Sequence, residues 1–153
     1  MEQQTPSSAR DSRPIPPAWM SPLPDHWRLA RAAHVDLLLM GMPRVNLLLV
    51  APEGVVQYVL ESFLLDLRQP MTTWRPGERL TLPPAHEPGT LILHDVGNLS
   101  PVEQLDLLAW LADVDRDVQV VSTSSTPLMP RVNSGAFVDT LYYRLNTVCV
   151  DLV

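Results

Sequence analysis

The feature that most constrains the fold is an alternation of short apolar runs with stretches of helical spacing. The runs are rich in Val, Leu, Ile and Thr, and they span residues 46–51, 90–94, 118–123 and 147–152. Helical patterns occupy residues 55–67, the stretch after Ser100, and residues 134–143. Strands buried on both faces read as continuous apolar runs, and their alternation with helices is typical of a parallel sheet. The sequence therefore predicts a three-layer α/β fold with a mostly parallel sheet of four or five strands.

The start of the middle helix carries a specific signal. Ser100, Pro101 and Glu103 supply an N-cap hydroxyl, a proline in the first turn and the acid of a capping box. Residues 68–89, which precede the apolar run at residues 90–94, contain five prolines and no long periodic run. It is expected to be a connector with one extended piece at residues 79–82.

The N-terminal part is interpreted as a tail followed by a helix. Residues 1–24 are dense in proline, which removes backbone donors and blocks helix, so this tail is expected to be disordered or extended. Residues 26–40 carry apolar side chains at near-helical spacing. Those side chains are Trp27, Leu29, Ala30, Ala33, Leu37 and Leu38. The single folded domain is predicted to cover residues 25–153.

Composition narrows the functional classes. The net charge is -6 and there is no basic run, so nucleic acid is not an expected partner. No stretch approaches the roughly 18 apolar residues of a membrane span, and the first residues lack the apolar core of a signal peptide. These features predict a cytoplasmic protein without a membrane partner. Its one cysteine, Cys149, is expected to be a packed thiol.

All eleven basic residues are arginine, because the chain contains no lysine. Any chemistry that requires a lysine amine is therefore excluded within this polypeptide.

The second half of the chain carries three motifs in unbroken order. Residues 89–101 read GTLILHDVGNLSP, residues 118–125 read VQVVSTSS, and residues 135–148 read GAFVDTLYYRLNTV. They resemble the G-T-L-F-L-D-E-I-G-E-L segment, the V-R-x-I-A-A-T-N strand and the G-x-F-R-x-D-L-Y-Y-R-L-N-x-V hallmark of sigma-54 activators. That resemblance implies the AAA+ ATPase fold of the P-loop NTPase class, and an origin in transcriptional regulation.

The first half resembles the family less closely. Residues 46–58 fall where the family has its first strand and its phosphate loop, G-x-x-x-x-G-K-[ST]. In this alignment the two glycines, the lysine and the Ser/Thr are replaced by Ala51, Val56, Gln57 and Tyr58.

These replacements predict the loss of phosphate chemistry. Gln57 carries no charge to offset the β and γ phosphates, Val56 restricts the backbone, and Tyr58 is too large to imitate a Ser or Thr ligand of Mg²⁺.

The remaining nucleotide-contacting positions of the family are also altered. His94 stands at the metal-side acid and Asp95 at the catalytic Glu; a one-residue slip would make Asp95 the metal acid and leave Val96 in the catalytic slot. Either alignment leaves one carboxylate where two are needed. Ser125 replaces the sensor I asparagine, and Val138 replaces an arginine that in the family reaches a neighbour's nucleotide.

A new metal site at His94 and Asp95 is not favoured, since adjacent strand residues face opposite ways. No bound cofactor and no metal are expected. The resemblance further implies that the grip loop for sigma-54, the helical lid and a DNA-binding domain are missing from this sequence.

The expectation is a pseudo-ATPase that acts as a regulatory or protein-binding module. Its partner would be a protein, either an active AAA+ paralogue or a second copy of the chain, with Tyr142, Tyr143 and Arg144 as interface candidates. Two alternatives remain open: a nucleotide-binding sensor or weak NTPase, and a decayed fragment of marginal stability.

Overall fold

The computed structural model describes residues 45–152, with residues 62 and 63 described by their backbone alone. The predicted tail of residues 1–24 and the predicted helix of residues 26–40 lie outside the described residues. The domain boundary at residue 25 therefore stays a prediction.

The described part of the chain contains five strands and four helices. The strands are β1 (Leu47–Val50), β2 (Met71–Trp74), β3 (Gly89–Leu93), β4 (Val118–Ser124) and β5 (Val148–Asp151). The helices are α1 (Glu53–Phe63), α2 (Pro101–Leu111), α3 (Met129–Asn133) and α4 (Asp139–Leu145), with 3₁₀ turns at Leu64–Asp66 and Val96–Asn98. The four predicted apolar runs are thus confirmed as strands to within one residue at either end.

All five strands run parallel in one sheet, in the order β2-β3-β4-β1-β5. Each strand contributes side chains to both faces, as a two-residue repeat requires. Leu48, Leu91 and Val120 pack on one face with α2 and α4, whereas Leu49, Ile92 and Val121 pack on the other with α1. The three-layer α/β prediction is confirmed, and the sheet is wholly rather than mostly parallel.

The capping box predicted at Ser100 is present. The Glu103 amide donates to the Ser100 hydroxyl at 3.3 Å, and the Ser100 amide donates to the Glu103 carboxylate at 2.8 Å. Two amides that helix geometry leaves without partners are thereby satisfied, which fixes where α2 begins.

The connector prediction was wrong about its extended piece. The fifth strand is β2, at Met71–Trp74, whereas residues 79–82 form no strand. β2 lies at the edge of the sheet, where Met71 and Thr73 are exposed and Trp74 alone is buried, so its sequence lacks a continuous apolar run.

The helix predicted at residues 134–143 was wrong at its start: residues 134–138 are not helical, and a separate short helix, α3, precedes them. α3 ends at Asn133, and Gly135 follows with a φ of 74°, a left-handed conformation that glycine adopts without strain. α4 begins only at Asp139.

The expectation for Cys149 was also wrong. This thiol is exposed, because within residues 45–152 β5 is an edge strand that pairs with β1 alone.

Gly89 provides a test of the packing between β3 and the segment before β2. A Cβ at this position would lie 2.8 Å from the Pro70 carbonyl oxygen, so Gly89→Ala should lower the free energy of unfolding by about 1–3 kcal/mol. Gly54→Ala is the matched control, since no atom lies within 4 Å of its added Cβ and alanine should stabilise α1 by about 0.5–1 kcal/mol. Urea unfolding measures both; equal effects would contradict the close approach.

Candidate functional site

The junction between β1 and α1 occupies the position of the predicted phosphate loop. Only Ala51 and Pro52 separate the strand from the helix. The Ala51 amide donates to the Ser124 carbonyl at 3.0 Å, which extends the pairing with β4. The amides of Val55 and Val56 donate to the Pro52 carbonyl at 2.8 and 3.0 Å. These amides close the first helical turn, so they do not form an open loop.

The three residues predicted to replace the end of the phosphate loop lie inside α1. Val56 is buried in the core beneath the helix, and Tyr58 is partly exposed. The Gln57 side-chain amide donates to the Glu61 carboxylate at 2.9 Å, a contact along the helix surface. The structure thus places Val56, Gln57 and Tyr58 on successive positions of a regular helix.

Asp95 sits at a sharp turn directly beyond β3. Its φ is 47°, in the left-handed region that asparagine and aspartate tolerate better than most residues. The Asp95 amide donates to the Thr123 hydroxyl at 3.0 Å, and the preceding amide, that of His94, donates to the Trp74 carbonyl at 3.0 Å. The two residues are therefore held by β4 on one side and by β2 on the other.

The Asp95 carboxylate joins the ends of two strands. One oxygen accepts bonds from the amide and the hydroxyl of Ser125, at 3.0 and 3.1 Å. The other accepts from the Asn98 side-chain amide at 2.8 Å. The structure thus brings together Asp95, predicted at the position of the catalytic Glu, and Ser125, predicted at the sensor I position. It does so through hydrogen bonds within the protein.

His94 is half-buried at the same edge of the sheet. Burial lowers the pKa of its imidazole below the ordinary value, because desolvation disfavours the charged form. The nearby positive charge of Arg75 lowers this pKa further, and Glu78 acts in the opposite direction. The lowered pKa favours the neutral imidazole, so His94 is a poor source of positive charge at this edge.

Two adjoining clefts open at this edge. One has a volume of about 280 Å³ and runs between α1 and strands β2 and β3; the other, about 180 Å³, lies above the ends of β3 and β4. Both are lined by Glu53, Val56, Arg75 and His94. Arg75 was not among the predicted site residues, and the signal for it would have been the strand β2, which this residue directly follows.

The charge around the clefts is mixed. Glu53 is the first residue of α1, where an acid interacts favourably with the helix dipole. An anionic ligand at this helix end would lie beside the Glu53 carboxylate, which would repel it. Within residues 45–152, no group of three His, Cys, Asp or Glu side chains is arranged to hold a metal ion.

The interface candidates lie on α4. The Tyr142 ring is half-buried and meets the Tyr143 ring edge-on, with centroids 5.3 Å apart. Tyr143 is 64% exposed. Arg144 donates to the Leu111 carbonyl at 3.3 Å, so the contact found for it is to the end of α2 rather than to an acid. Among the described helices, none is long and apolar enough to cross a membrane.

The sheet is all-parallel in this order, and the helix that follows β1 begins beside the ends of β3 and β4. This arrangement defines a P-loop NTPase-like α/β domain. The sequence model of the sigma-54 interaction domain matches residues 40–153, so the chain belongs to that family.

Curated relatives include transcriptional regulators. ZraR of Escherichia coli (strain K12) is 28% identical over 135 residues, covering 81% of this chain and 30% of the relative. ZraR of Klebsiella oxytoca is 35% identical over 75 residues, covering 42% of this chain and 17% of the relative. The chain thus spans less than a third of the length of these relatives.

Solved structures agree on the fold. NtrX from Brucella abortus in complex with ATP superposes with a TM-score of 0.56 at 20% identity, covering 80% of this chain and 36% of NtrX. The P-loop NTPase domain of an E. coli sigma-54 activator gives a TM-score of 0.50 at 16% identity, covering 71% of this chain and 98% of that domain. At such identities the likeness establishes the fold and nothing finer.

The neutral state of His94 leads to a pH prediction. Because its pKa is lowered in the folded state, the unfolded chain binds the proton more tightly, and stability falls as the pH drops below the unfolded pKa of about 6.5. Replacing His94→Gln should reduce the loss of unfolding free energy between pH 7.5 and 5.5, as measured by urea titration. Arg75→Gln, which keeps the imidazole but removes the neighbouring cation, should give an intermediate slope. An unchanged slope in His94→Gln would contradict the assignment.

Proposed function

We propose that this domain is a non-catalytic regulatory module that acts through protein–protein contacts in transcriptional or signalling regulation. One observation carries the proposal: α1 begins at Glu53, with only two residues between it and the end of β1. A phosphate loop needs several free amides that wrap the β and γ phosphates. Here the amides of Val55 and Val56 are already bonded to Pro52.

The charges at the same edge support the proposal. Among the described residues lining the clefts, Arg75 supplies the positive charge, while Glu53, Glu61 and Asp95 supply negative charge. A triphosphate bound there would need cations to offset its own charge, and the chain has no lysine. Electrostatic stabilisation of a phosphoryl-transfer transition state has little basis in this arrangement.

The state of Asp95 supports the proposal independently. A carboxylate that holds Mg²⁺ or orients water must direct an oxygen at the ligand. Both Asp95 oxygens instead accept hydrogen bonds from Ser125 and Asn98. We infer that this residue has become a structural link between β3 and β4.

The regulatory half of the proposal rests on exposed apolar side chains of two packed helices. Val102 and Leu105 lie one turn apart on α2 and are 67% and 58% exposed, and Tyr143 lies on α4. The Val138 amide donates to the Gln104 side chain at 2.8 Å, which ties the starts of these helices together. These exposed apolar side chains are the ones that we assign to the contact. We propose that the partner is another subunit of the same family, either an active AAA+ paralogue or a second copy.

The loss of nucleotide binding is testable by ligand-induced stabilisation. A ligand that binds the folded state raises its melting temperature in proportion to ln(1 + [ligand]/Kd). We expect no shift with millimolar ATP and Mg²⁺, and no phosphate release above that of buffer. A shift that disappears in Arg75→Gln would identify real binding at this edge and would establish the alternative, a nucleotide-binding sensor.

The partner prediction uses a matched pair of surface variants. Tyr143→Glu places a charge on the proposed contact surface. Val114→Glu places the same charge outside that surface, at a site that is 90% exposed beyond the end of α2. Mixed with an active sigma-54 activator ATPase domain, the unmodified chain should co-elute in size-exclusion chromatography and change the ATPase rate. Tyr143→Glu should lose at least about tenfold in affinity, the effect of ~1.4 kcal/mol, and Val114→Glu should retain it. A chain that stays monomeric alone and in every such mixture would contradict the proposal.

A further inference from the structure

Arg116 lies at the amino edge of the sheet, opposite the edge that carries Asp95. It shortly precedes β4, and its side chain is half-buried. Its Cζ lies 5.3 Å from the centroid of the Trp110 ring, and its Nη2 donates to the Asn46 side-chain oxygen at 3.4 Å. In the part of the chain that the structure describes, its Nε and Nη1 atoms are buried and donate to no acceptor. A buried charged donor without an acceptor costs free energy, so packing alone does not account for this arginine.

A second cation lies beside it. Arg144 is exposed in the last turn of α4, and it donates to the Leu111 carbonyl at 3.3 Å. The Asn46 side chain links the two arginines, because its nitrogen also donates to the Arg144 carbonyl at 2.7 Å. Burial lowers the pKa of Arg116, the nearby charge of Arg144 lowers this pKa further, and Asp113 acts in the opposite direction. Arg116 and Arg144, called the cation pair below, are therefore close enough to repel each other.

Two acids of the connector between α2 and β4 are engaged elsewhere. The Asp113 carboxylate lies 3.3 Å from the His86 imidazole. The Asp117 carboxylate accepts from both terminal nitrogens of Arg68, at 2.8 and 3.2 Å. Among the described residues, neither member of the cation pair has a carboxylate within ion-pair distance. The fold thus builds two adjacent positive charges and supplies no negative charge in direct contact with them.

We propose that the cation pair receives an Asp or Glu side chain of the partner subunit, with Arg144 making the direct contact and half-buried Arg116 adding a second positive charge. The inference rests on the proposed function, because the carboxylate belongs to the partner that contacts Tyr143. Tyr143 precedes Arg144 in α4 and is 64% exposed, so one contact combines an aromatic side chain with a charge. A subunit of this chain's own composition, with 17 acids and a net charge of -6, offers such carboxylates.

The stability of the free chain separates this role from a structural one. Arg116→Met keeps much of the side-chain bulk and removes a charge that lacks a partner, so the melting temperature should stay unchanged or rise. Arg68→Met is the matched control, because it breaks the ion pair with Asp117 and should lower the melting temperature. An equal loss in both variants would overturn the proposal, since it would show that Arg116 stabilises the fold.

Succinate supplies carboxylates without a partner protein. Compared with chloride at equal ionic strength, it should raise the melting temperature of the unmodified chain and have a smaller effect on Arg116→Met. Equal shifts in the two chains would mean that succinate acts on the protein surface in general, and this result would overturn the proposal.

Association with an active sigma-54 activator ATPase domain, or between copies, tests the site in the proposed complex. Arg116→Met and Arg144→Met should each lower the affinity about tenfold and make it less dependent on salt, because each removes a charge from the contact. Arg79→Met, at an exposed site in the connector before β3, removes the same charge elsewhere and should retain the affinity.

The results distinguish this site from the proposed function. A complex whose affinity and salt dependence are unchanged in Arg116→Met would overturn the carboxylate site and leave the proposed function intact. Absence of any complex, together with a succinate effect that Arg116→Met reduces, would contradict the proposed function and retain the carboxylate site.

Discussion

The two-residue connection between β1 and α1 determines most of what this domain can do. Because the chain turns into helix at Glu53, the first amides of α1 bond to Pro52 and its apolar side chains settle onto the sheet. Val56 and Leu60 join the core that also contains Leu49 and Ile92. The same connection leaves an acid, Glu53, at the helix end where related folds would meet a phosphate. Packing and electrostatics at this edge thus share one cause.

The second feature of the edge is the turn at Asp95. An unusual backbone angle at this residue is maintained by the bond from the Asp95 amide to the Thr123 hydroxyl and by bonds from Ser125 and Asn98 to the Asp95 carboxylate. Functional sites often store such strain, but here the carboxylate that would act on a ligand satisfies neighbouring groups of the protein. The edge has kept its shape through contacts that need no nucleotide. The hydrogen bonds of Asp95 thus support the proposed non-catalytic role.

The sequence predicted the interior of the fold better than its edges. β1, β3 and β4 were recognised because they are buried on both faces and read as unbroken apolar runs. β5 was recognised from its apolar run although it is an edge strand, and α2 was recognised by its capping box. β2 was missed since an edge strand needs only one apolar residue, Trp74. The start of α4 was placed five residues too early, at residue 134 instead of Asp139, and the short helix α3 was not predicted.

The candidate site was foreseen in part. The family motifs named His94, Asp95 and Ser125, and the structure brings the last two into direct contact. The replacement of the phosphate-loop residues was also read from the sequence, and their spacing predicted a helix from residue 55. The structure begins that helix two residues earlier, at Glu53. Arg75 was not predicted as a site residue because the strand that precedes it, β2, was not predicted.

Amide hydrogen exchange at the start of α1 tests this account most directly. Assigned NMR spectra of the full chain, recorded with and without ATP and Mg²⁺, would follow the Val55 and Val56 amides. The account predicts that both are protected in the free protein and that nucleotide leaves their exchange rates unchanged. Rapid exchange in the free protein, with protection gained on adding ATP, would mean that these residues form a phosphate-binding loop and would contradict the account.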